Sequence, residues 1–362
     1  MTINSFLLKP IKRLSEHYDV TIIINGRSED ISEYLDDVTI LSISIERKIS
    51  PLRDMIALFQ LIKILWEHDF QLVHSVTPKA GLLAMMASFF SRVPTRVHIF
   101  TGQVWAIRKG LSRWILKLMD CIIARLATDI LVDSVSQRQF LLNEGIVSTG
   151  KSSVLAHGSI SGVDIIRFKP DEKVRLRIRQ KFSIKNEETV FLFIGRLNRD
   201  KGVLDLALAF ANLTTLNSHL LIVGPDEADI RLEMEALLKN CLERVHFVGY
   251  SNKPEHYMAA ADVLCLPSYR EGFGSVVIEA AAVGIPAIGS KIYGVEDAIV
   301  DEQTGLLFSA GSREQLGITM AAMSVDKILR EKLGSNARKR VLAEFSSELL
   351  ASAWLDYYKI KL

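Results

Sequence analysis

Short apolar runs alternate with amphipathic helical patterns along most of the chain. In the first half, strands are predicted at Val20–Ile24, Leu72–Ser75, Thr95–Phe100 and Asp129–Asp133, and helices at Ser5–His17, Pro51–His68, Ala80–Ser91 and Leu111–Leu126. Strands joined by helices over short connections are typical of a parallel sheet covered on both faces. The pattern predicts an α/β fold of doubly wound parallel sheets, in which ligands gather at the carboxyl ends of the strands.

The second half of the chain repeats this alternation. Strands are predicted at Thr189–Ile194, Leu220–Pro225, Val245–Tyr250 and Asp262–Leu266, and helices at Lys327–Glu344 and Ser346–Lys359. The two halves are separated by a glycine-containing stretch that ends at Pro170 and is followed by a charged segment. Such composition is typical of a domain boundary, and a chain of 362 residues is long enough for two domains.

One stretch, Pro267 to Pro286, predicts a strand, a glycine loop and a helix in succession. Pro267 closes the apolar strand, and the loop contains Gly272, Phe273 and Gly274. The helical pattern starts at Ser275, which we expect to cap it. Unpaired N–H groups and the positive end of the helix dipole favour an anion at such a helix start.

Two carboxylates flank this anion site, with seven residues between them: Glu271 in the loop and Glu279 on the helix. Ionised carboxylates only accept hydrogen bonds, so they suit sugar hydroxyls, which donate them. A second strand, loop and helix start carries Gly195, Arg196 and Lys201, two fixed cations suited to phosphate. The combination indicates a nucleotide sugar, although each charged residue alone is equally typical of a solvated loop or helix surface.

These motifs resemble the Glu-x7-Glu signature of the retaining nucleotide-sugar glycosyltransferases of family 4, which have the GT-B fold. After Glu279 the chain continues with Ala-x-Gly-x-Pro, ending at Pro286, and with DEQTGLLF at Asp301–Phe308, as in that family. The resemblance extends over nearly the whole chain. It implies two Rossmann-like domains that face a cleft: an acceptor-binding domain, 1–168, and a donor-binding domain, 169–344. It also implies that the last helix, 345–362, packs back on the first domain.

The resemblance further implies roles for individual residues. Arg196 and Lys201 would bind the donor diphosphate and stabilise its charge as it leaves, and Glu271 would orient the donor sugar. Glu279 would hold the ribose, the loop from Gly272 to Ser275 with Gly195 would surround the diphosphate, and the backbone near Tyr250 would contact the base. Because the chain has no Asp-x-Asp motif, we expect a metal-independent reaction without a cofactor.

The segment from His74 to Gly81 resembles a narrower subgroup, which extends lipid-linked sugars in bacterial surface polysaccharide or glycan assembly. Lys79, at a strand-to-helix turn, is a candidate for an acceptor pyrophosphate, with a surface lysine as the alternative. Where many relatives have His-Gly after the next strand, this chain has Thr101 and Gly102, so a contact to the donor sugar at this position stays open. The chain also starts one element later than is usual in the family. This indicates either that the start of the sequence is placed too far downstream or that the first strand is missing.

Composition narrows the possible partners. The chain is 49% hydrophobic and 24% charged, which is typical of a globular protein. Its net charge of +2 gives no overall nucleic-acid signal. The three scattered cysteines favour a reducing compartment. Between Lys79 and Arg125, however, the sequence has eight basic residues and only one acidic residue, with large apolar residues among them. This favours an anionic membrane surface, and we expect peripheral attachment to the inner face of the cytoplasmic membrane. Nucleic acid is the alternative partner, but no binding motif accompanies the basic residues. A core-facing apolar side with solvated basic residues is an equally typical origin of this pattern.

The sequence thus predicts a hexosyltransferase that moves a sugar, expected to be an N-acetylated or deoxy hexose, from a nucleotide sugar, with uridine as the expected base. The expected acceptor is a polyprenyl-diphosphate-linked sugar in O-antigen or capsule synthesis. Two alternatives remain at this point. One is a nucleotide-sugar epimerase of the same fold, and the other is a protein that binds a nucleotide sugar without turning it over.

Overall fold

The structure is a computed structural model that describes residues 7–26, 35, 37–46, 50–213 and 217–362. The chain divides into two compact units, Met1–Gly162 with Ser347–Leu362, and Val163–Ser346. Each unit is an α/β layer structure with parallel sheets. Within the described ranges, no helix combines the length and the apolar composition needed to cross a bilayer.

The first unit contains parallel strands that pair in two groups within the described part of the chain. Strands β1 (Val20–Ile24) and β2 (Val38–Ser42) pair with each other, starting with Val20 opposite Val38. The second group is a sheet in the order β3-β4-β5-β6, formed by Leu72–Ser75, Thr95–Phe100, Asp129–Val132 and Ser152–Ser153. Its middle strands are buried at Val97–Phe100 and Ile130–Val132, where the residues are mainly apolar, as in strands covered on both faces.

Helices cover the sheet strands of the first unit. They are α1 (Leu8–Ser15), α2 (Pro51–Glu67), α3 (Pro78–Phe90), α4 (Gly110–Leu126) and α5 (Val135–Asn143). Helix α2 packs on α3, and α3 packs on α4. Helix α3 begins before the predicted Ala80 because Pro78, with its fixed φ and missing N–H, suits the first turn of a helix. The first residues of the predicted Ser5–His17 helix, and the loop expected around Met1, lie outside the described residues.

The second unit is built on one six-stranded parallel sheet in the order β12-β11-β10-β7-β8-β9. The strands are β7 (Thr189–Ile194), β8 (Ser218–Val223), β9 (Val245–Gly249), β10 (Val263–Leu266), β11 (Ala287–Ser290) and β12 (Gly305–Phe308). The central strands β7 and β10 pair through Val263 opposite Phe191 and Leu264 opposite Leu192, which are all fully buried. Successive side chains point to opposite faces, so the sheet separates two apolar cores.

Eight helices of the described chain lie in this second unit. They are α6 (Glu172–Lys181), α7 (Val203–Ala211), α8 (Arg231–Leu237), α9 (Pro254–Ala260), α10 (Ser275–Val283), α11 (Val295–Ala298), α12 (Arg313–Val325) and α13 (Lys327–Glu344). Asp326 caps α13 by accepting from the N–H of Leu329, so this helix starts where its sequence pattern begins. Helices α10 and α13 pack on each other.

The final helix, α14 (Ser347–Lys361), belongs to the first unit. Leu350 and Trp354 are buried beside Val97, Ile99 and Leu131 of the first-unit sheet. Trp354 Nε1 donates to the carbonyl oxygen of Ile160 at 3.0 Å. The first unit is therefore assembled from two separate parts of the chain.

Candidate active site

Two loops meet at the carboxyl ends of β7 and β10 in the second unit. The first contains the short turn Arg199–Lys201 and ends at Gly202, and the second runs from Pro267 to Gly274. Gly202 has a φ of +66°, and a Cβ added there would lie 2.0 Å from the carbonyl oxygen of Pro267. Only glycine permits this backbone conformation and this approach without strain. The contact brings the predicted cation Lys201 close to the glycine loop.

Lys201 and Glu271 form an ion pair between these loops. Lys201 Nζ donates to Glu271 Oε1 at 2.5 Å, and the two side chains are 22% and 13% exposed. The hydroxyl of Ser268 donates to the same oxygen at 2.8 Å, and Ser268 is fully buried. Among the described residues, no protein donor is seen on Glu271 Oε2. This oxygen and the remaining protons of the ammonium group are available to a ligand.

The helix after the glycine loop starts at the expected place, but its cap differs from the prediction. Gly274, with a φ of +82°, is the N-cap residue, and Ser275 is the first residue of α10. The expected capping by the Ser275 side chain was wrong, since no side-chain hydrogen bond caps this helix. The first N–H groups of α10 therefore keep their capacity to bind an anion.

Glu279 lies one turn into α10 and is partly buried. Burial raises the pKa of its carboxyl to about 7. The nearby Arg167 guanidinium lowers this pKa by a smaller amount, and the charge of Glu255 raises it further. Arg167 itself pairs with Glu255 at 2.8 Å. Glu279 is thus a desolvated carboxyl group close to its ionisation point at neutral pH.

Phe273 differs from its neighbours in the glycine loop. Its ring is 1% exposed and packs against Phe345, with 5.3 Å between the ring centroids. The side chain belongs to an apolar core of the second unit, so a contact to a donor would have to come from the backbone. Gly272 is also buried, and its carbonyl oxygen lies close to Gly294.

Arg196 does not join the Lys201–Glu271 pair in this structure. Its Nη1 donates to Glu227 Oε2 at 2.9 Å, and the two side chains are 52% and 41% exposed. Gly195 directly follows β7, and its N–H donates to the carbonyl of Val223. Tyr250 follows β9 and is 76% exposed, so its ring is a free aromatic surface at the carboxyl edge of the sheet.

The first unit has its own pocket at the carboxyl end of β4. Thr101 and Gly102 line it together with the buried Asp120 and Trp105. Trp105 Nε1 donates to Asp120 Oδ2 at 2.7 Å, while burial raises the pKa of the Asp120 carboxyl to about 6. Lys79, predicted to meet a pyrophosphate, is engaged elsewhere in the unit: its Nζ lies 2.6 Å from Asp54 Oδ1 and 2.7 Å from the carbonyl of Glu46.

Several residues of these sites were missed by the sequence motifs. Ser268 and Asp120 belong to this group, because a single serine or aspartate has no distinctive spacing. Tyr269 and Asp205 are hydrogen-bonded to each other although they are far apart in the chain. Among the residues that the structure describes, no three His, Cys, Asp or Glu side chains are grouped as metal ligands.

Comparison with known protein families gives two matches along the chain. Residues 2–134 match the family model described as glycosyl transferase 4-like, and residues 174–340 match the model described as glycosyl transferases group 1. The second match contains both loops and both carboxylates of the site. The chain therefore contains two glycosyltransferase family domains, one 4-like and one of group 1. It is an enzyme of the hexosyltransferase class, as its motifs predict.

Bacterial relatives of this glycosyltransferase align over most of their length. It is 28% identical to the capsular polysaccharide biosynthesis glycosyltransferase CapM of Staphylococcus aureus, over 91% of this chain and 86% of that protein. It is 26% identical to the UDP-Gal:alpha-D-GlcNAc-diphosphoundecaprenol alpha-1,3-galactosyltransferase of Escherichia coli, over 92% of this chain and 86% of that protein.

Solved structures support the fold of the glycosyltransferase. The crystal structure of Anabaena HepE in complex with UDP and glucose matches 98% of this chain and 94% of that chain, with a TM-score of 0.81 at 19% identity. This likeness confirms the predicted GT-B fold with two Rossmann-like halves.

Proposed function

We propose that this glycosyltransferase moves a hexose, with retention of anomeric configuration, from a uridine-diphosphate sugar to a polyprenyl-diphosphate-linked sugar during surface polysaccharide synthesis. The observation that carries the proposal is the Lys201–Glu271 ion pair beside the N-terminus of α10. It combines a cation and free N–H groups for phosphate with a carboxylate oxygen for a sugar hydroxyl.

The donor would be bound by the second unit. Its diphosphate accepts from the first N–H groups of α10 and from Lys201, with Arg196 exchanging its exposed partner Glu227 for phosphate. Glu271 accepts from a hydroxyl of the donor sugar, and Glu279 accepts from the ribose. Gly195, Gly272, Gly274 and Ser275 surround the diphosphate, and the segment at Tyr250 contacts the base.

The reaction breaks the bond between the anomeric carbon and the diphosphate oxygen, and the acceptor hydroxyl oxygen bonds to the same carbon. We propose front-face attack, in which the acceptor proton passes to the departing diphosphate, so that configuration is retained. Negative charge grows on the diphosphate as it leaves, and fixed positive groups stabilise that change. Lys201, Arg196 and the N–H groups would supply this stabilisation without a divalent metal ion.

The acceptor would be bound by the first unit. Thr101 and Gly102 line a pocket whose buried Asp120 suits a sugar hydroxyl. The relative from Escherichia coli is named for an acceptor of this class, a sugar linked to diphosphoundecaprenol. Lys79 stays a weaker candidate for the acceptor diphosphate, because Asp54 already balances its charge. The donor sugar is expected to be an N-acetylated or deoxy hexose, as the sequence suggests.

A lipid-linked acceptor would place the enzyme at the cytoplasmic face of the membrane. Helices α3 and α4 expose large apolar side chains among the basic residues between Lys79 and Arg125, namely Phe89, Phe90, Leu111 and Trp114 at 48%, 57%, 72% and 62% exposure. Apolar and basic groups on one surface favour anionic lipid. We expect Trp114→Glu to reduce flotation with anionic vesicles, and Leu232→Glu, at a residue of the second unit that is 75% exposed, to leave it unchanged. Equal flotation with anionic and neutral vesicles would contradict the proposal.

The transfer itself is tested by a screen of nucleotide sugars against polyprenyl-diphosphate-linked sugars, with products identified by mass spectrometry. The anomeric configuration of the product is then read by nuclear magnetic resonance, and the assay is repeated with a chelator. We expect a product only when donor and acceptor are both present, an α-linkage from an α-donor, and no loss with the chelator. Conversion of a nucleotide sugar without an acceptor would favour an epimerase instead.

A further inference from the structure

The loop that carries Glu271 is held by a buried carboxylate outside the proposed donor contacts. The hydroxyl of Tyr269 donates to Asp205 Oδ2 at 2.5 Å, and Arg313 Nε donates to Asp205 Oδ1 at 2.6 Å. The side chain of Asp205 is 8% exposed, whereas that of Arg313 is 61% exposed. Both oxygens of one carboxylate are therefore engaged, one by the loop and one by the first turn of α12, which fixes its orientation.

Asp205 also connects this loop to the residue that pairs with Glu271. It lies in the first turn of α7, which begins directly after Lys201 and Gly202. A backbone hydrogen bond joins the same two loops, since the N–H of Tyr269 donates to the carbonyl of Asp200 at 2.8 Å. The Tyr269 hydrogen bond thus joins the two loops whose charged side chains form the ion pair.

The hydroxyl of Tyr269 is a hydrogen-bond donor in this network. The hydrogen bond to Asp205 raises the pKa of the Tyr269 hydroxyl to about 12, so the phenol keeps the proton that it donates. The ring lies against Gly311, where an added Cβ would be 3.3 Å from Tyr269 Cε1. The position of the ring is therefore set by packing as well as by its hydroxyl.

We propose that Asp205, Tyr269 and Arg313 are positioning residues. They hold the Glu271 carboxylate in the position in which it pairs with Lys201, before the donor binds. The inference rests on the proposed function, in which Glu271 contacts the donor sugar. A carboxylate that is already oriented needs little reorganisation when charge develops in the transition state. Loosening the loop should therefore affect turnover more than the binding of the nucleotide.

The first test measures the loop itself in the ligand-free protein. Hydrogen–deuterium exchange followed by mass spectrometry reports how often backbone N–H groups open. We expect Tyr269→Phe to increase exchange in peptides that cover 267–274, while peptides from β8 and from the first unit stay unchanged. Unchanged exchange in 267–274 would overturn the inference, whatever the activity of the variant.

The second test separates turnover from binding. Tyr269→Phe and Asp205→Asn are each expected to lower kcat about tenfold, with the Kd for UDP changed by less than about twofold. The double variant should be no worse than Asp205→Asn alone, because Asp205→Asn already weakens the hydrogen bond that Tyr269→Phe removes, together with the contact to Arg313. Arg313→Gln, at an exposed side chain with little risk to folding, should act in the same direction but less strongly.

Tyr357→Phe in the first unit is the matched control. Its hydroxyl is buried, with no hydrogen-bond partner among the described residues, so removing it should leave kcat and loop exchange unchanged. If the wild-type enzyme showed no transfer activity, the proposed function would be rejected. If loop exchange nevertheless increased in Tyr269→Phe, the role of the network in holding the loop would still be supported. A drop in UDP affinity equal to the drop in kcat would reject the positioning role.

Discussion

Lys201→Met is the most direct test of the proposed donor site, because methionine is unbranched and apolar and so removes the charge with little change of shape. In the structure the ammonium group lies 2.5 Å from Glu271 Oε1, and the lysine side chain is 22% exposed. Partial burial reduces screening by water, so a charge at this position acts strongly on a nearby phosphate. A preorganised group that stabilises the leaving charge contributes about 3 kcal/mol, which corresponds to roughly a hundredfold loss of turnover when it is removed.

The same substitution has a smaller effect on stability. Glu271 loses one charge-assisted hydrogen bond but keeps the bond from Ser268 Oγ at 2.8 Å. A hydrogen bond to a charged group contributes about 1.5–3 kcal/mol, and partial exposure of both side chains lowers that figure. We therefore expect the melting temperature to fall by only a few degrees. Lys201→Arg keeps the charge in a planar group with different geometry, and it should show an intermediate loss.

The assay measures kcat and the Kd for UDP well below the melting temperature of the variant. Lys327→Met serves as the control, because Lys327 is 77% exposed and its pair with Glu331 at 3.6 Å is of the weak surface type. The control should keep kcat within about twofold of the wild type. A folded Lys201→Met enzyme with turnover within about threefold of the wild type would refute the proposed role.

Three further predictions concern acidity and backbone shape. The raised pKa of Glu279, about 7, means that between pH 4.5 and 7 the folded protein binds one more proton than the unfolded chain, so stability falls as pH rises through this window. We therefore expect Glu279→Gln to raise the melting temperature at pH 8 and hardly change it at pH 4. Burial lowers the pKa of His246 to about 4 and also lowers that of its partner His219, so the unfolding free energy should drop as pH falls from 6.5 to 4, less steeply in His246→Gln, as measured by urea denaturation. Gly202→Ala places a Cβ against the Pro267 carbonyl at a φ of +66°, and kinetic assays should show at least a tenfold loss of kcat; unchanged kcat would show that the loop contact is not needed.

The sequence predicted those parts of the site that depend on local structure. Lys201 and Glu271 were both found because each lies in a loop between a buried strand and a helix, and this arrangement leaves a local pattern of apolar run, glycine and helix start. Parallel strands then bring such loops to one edge of the sheet. The structure forms an ion pair from two residues that the motifs had selected independently.

The remaining parts depend on contacts that no local pattern encodes. Tyr269, Asp205 and Arg313 are distant in the chain, and each residue type is common in solvated loops, so their network needed coordinates. Phe273 was assigned to donor binding as part of the glycine loop that the family resemblance implies at the diphosphate, whereas its ring fills an apolar core. Lys79 was considered as a free cation because its partner Asp54 comes from the preceding helix.

The discontinuous first unit has a consequence for the order in which the nascent protein acquires its structure. Residues Val163–Ser346 form a continuous unit and can fold as soon as they leave the ribosome. The first unit, although translated earlier, receives Leu350 and Trp354 only with the last helix, and until then the apolar side chains of Val97 and Leu131 lack their cover. A chain truncated before Ser347 and released from the ribosome should therefore show a protease-resistant second unit and a protease-sensitive first unit.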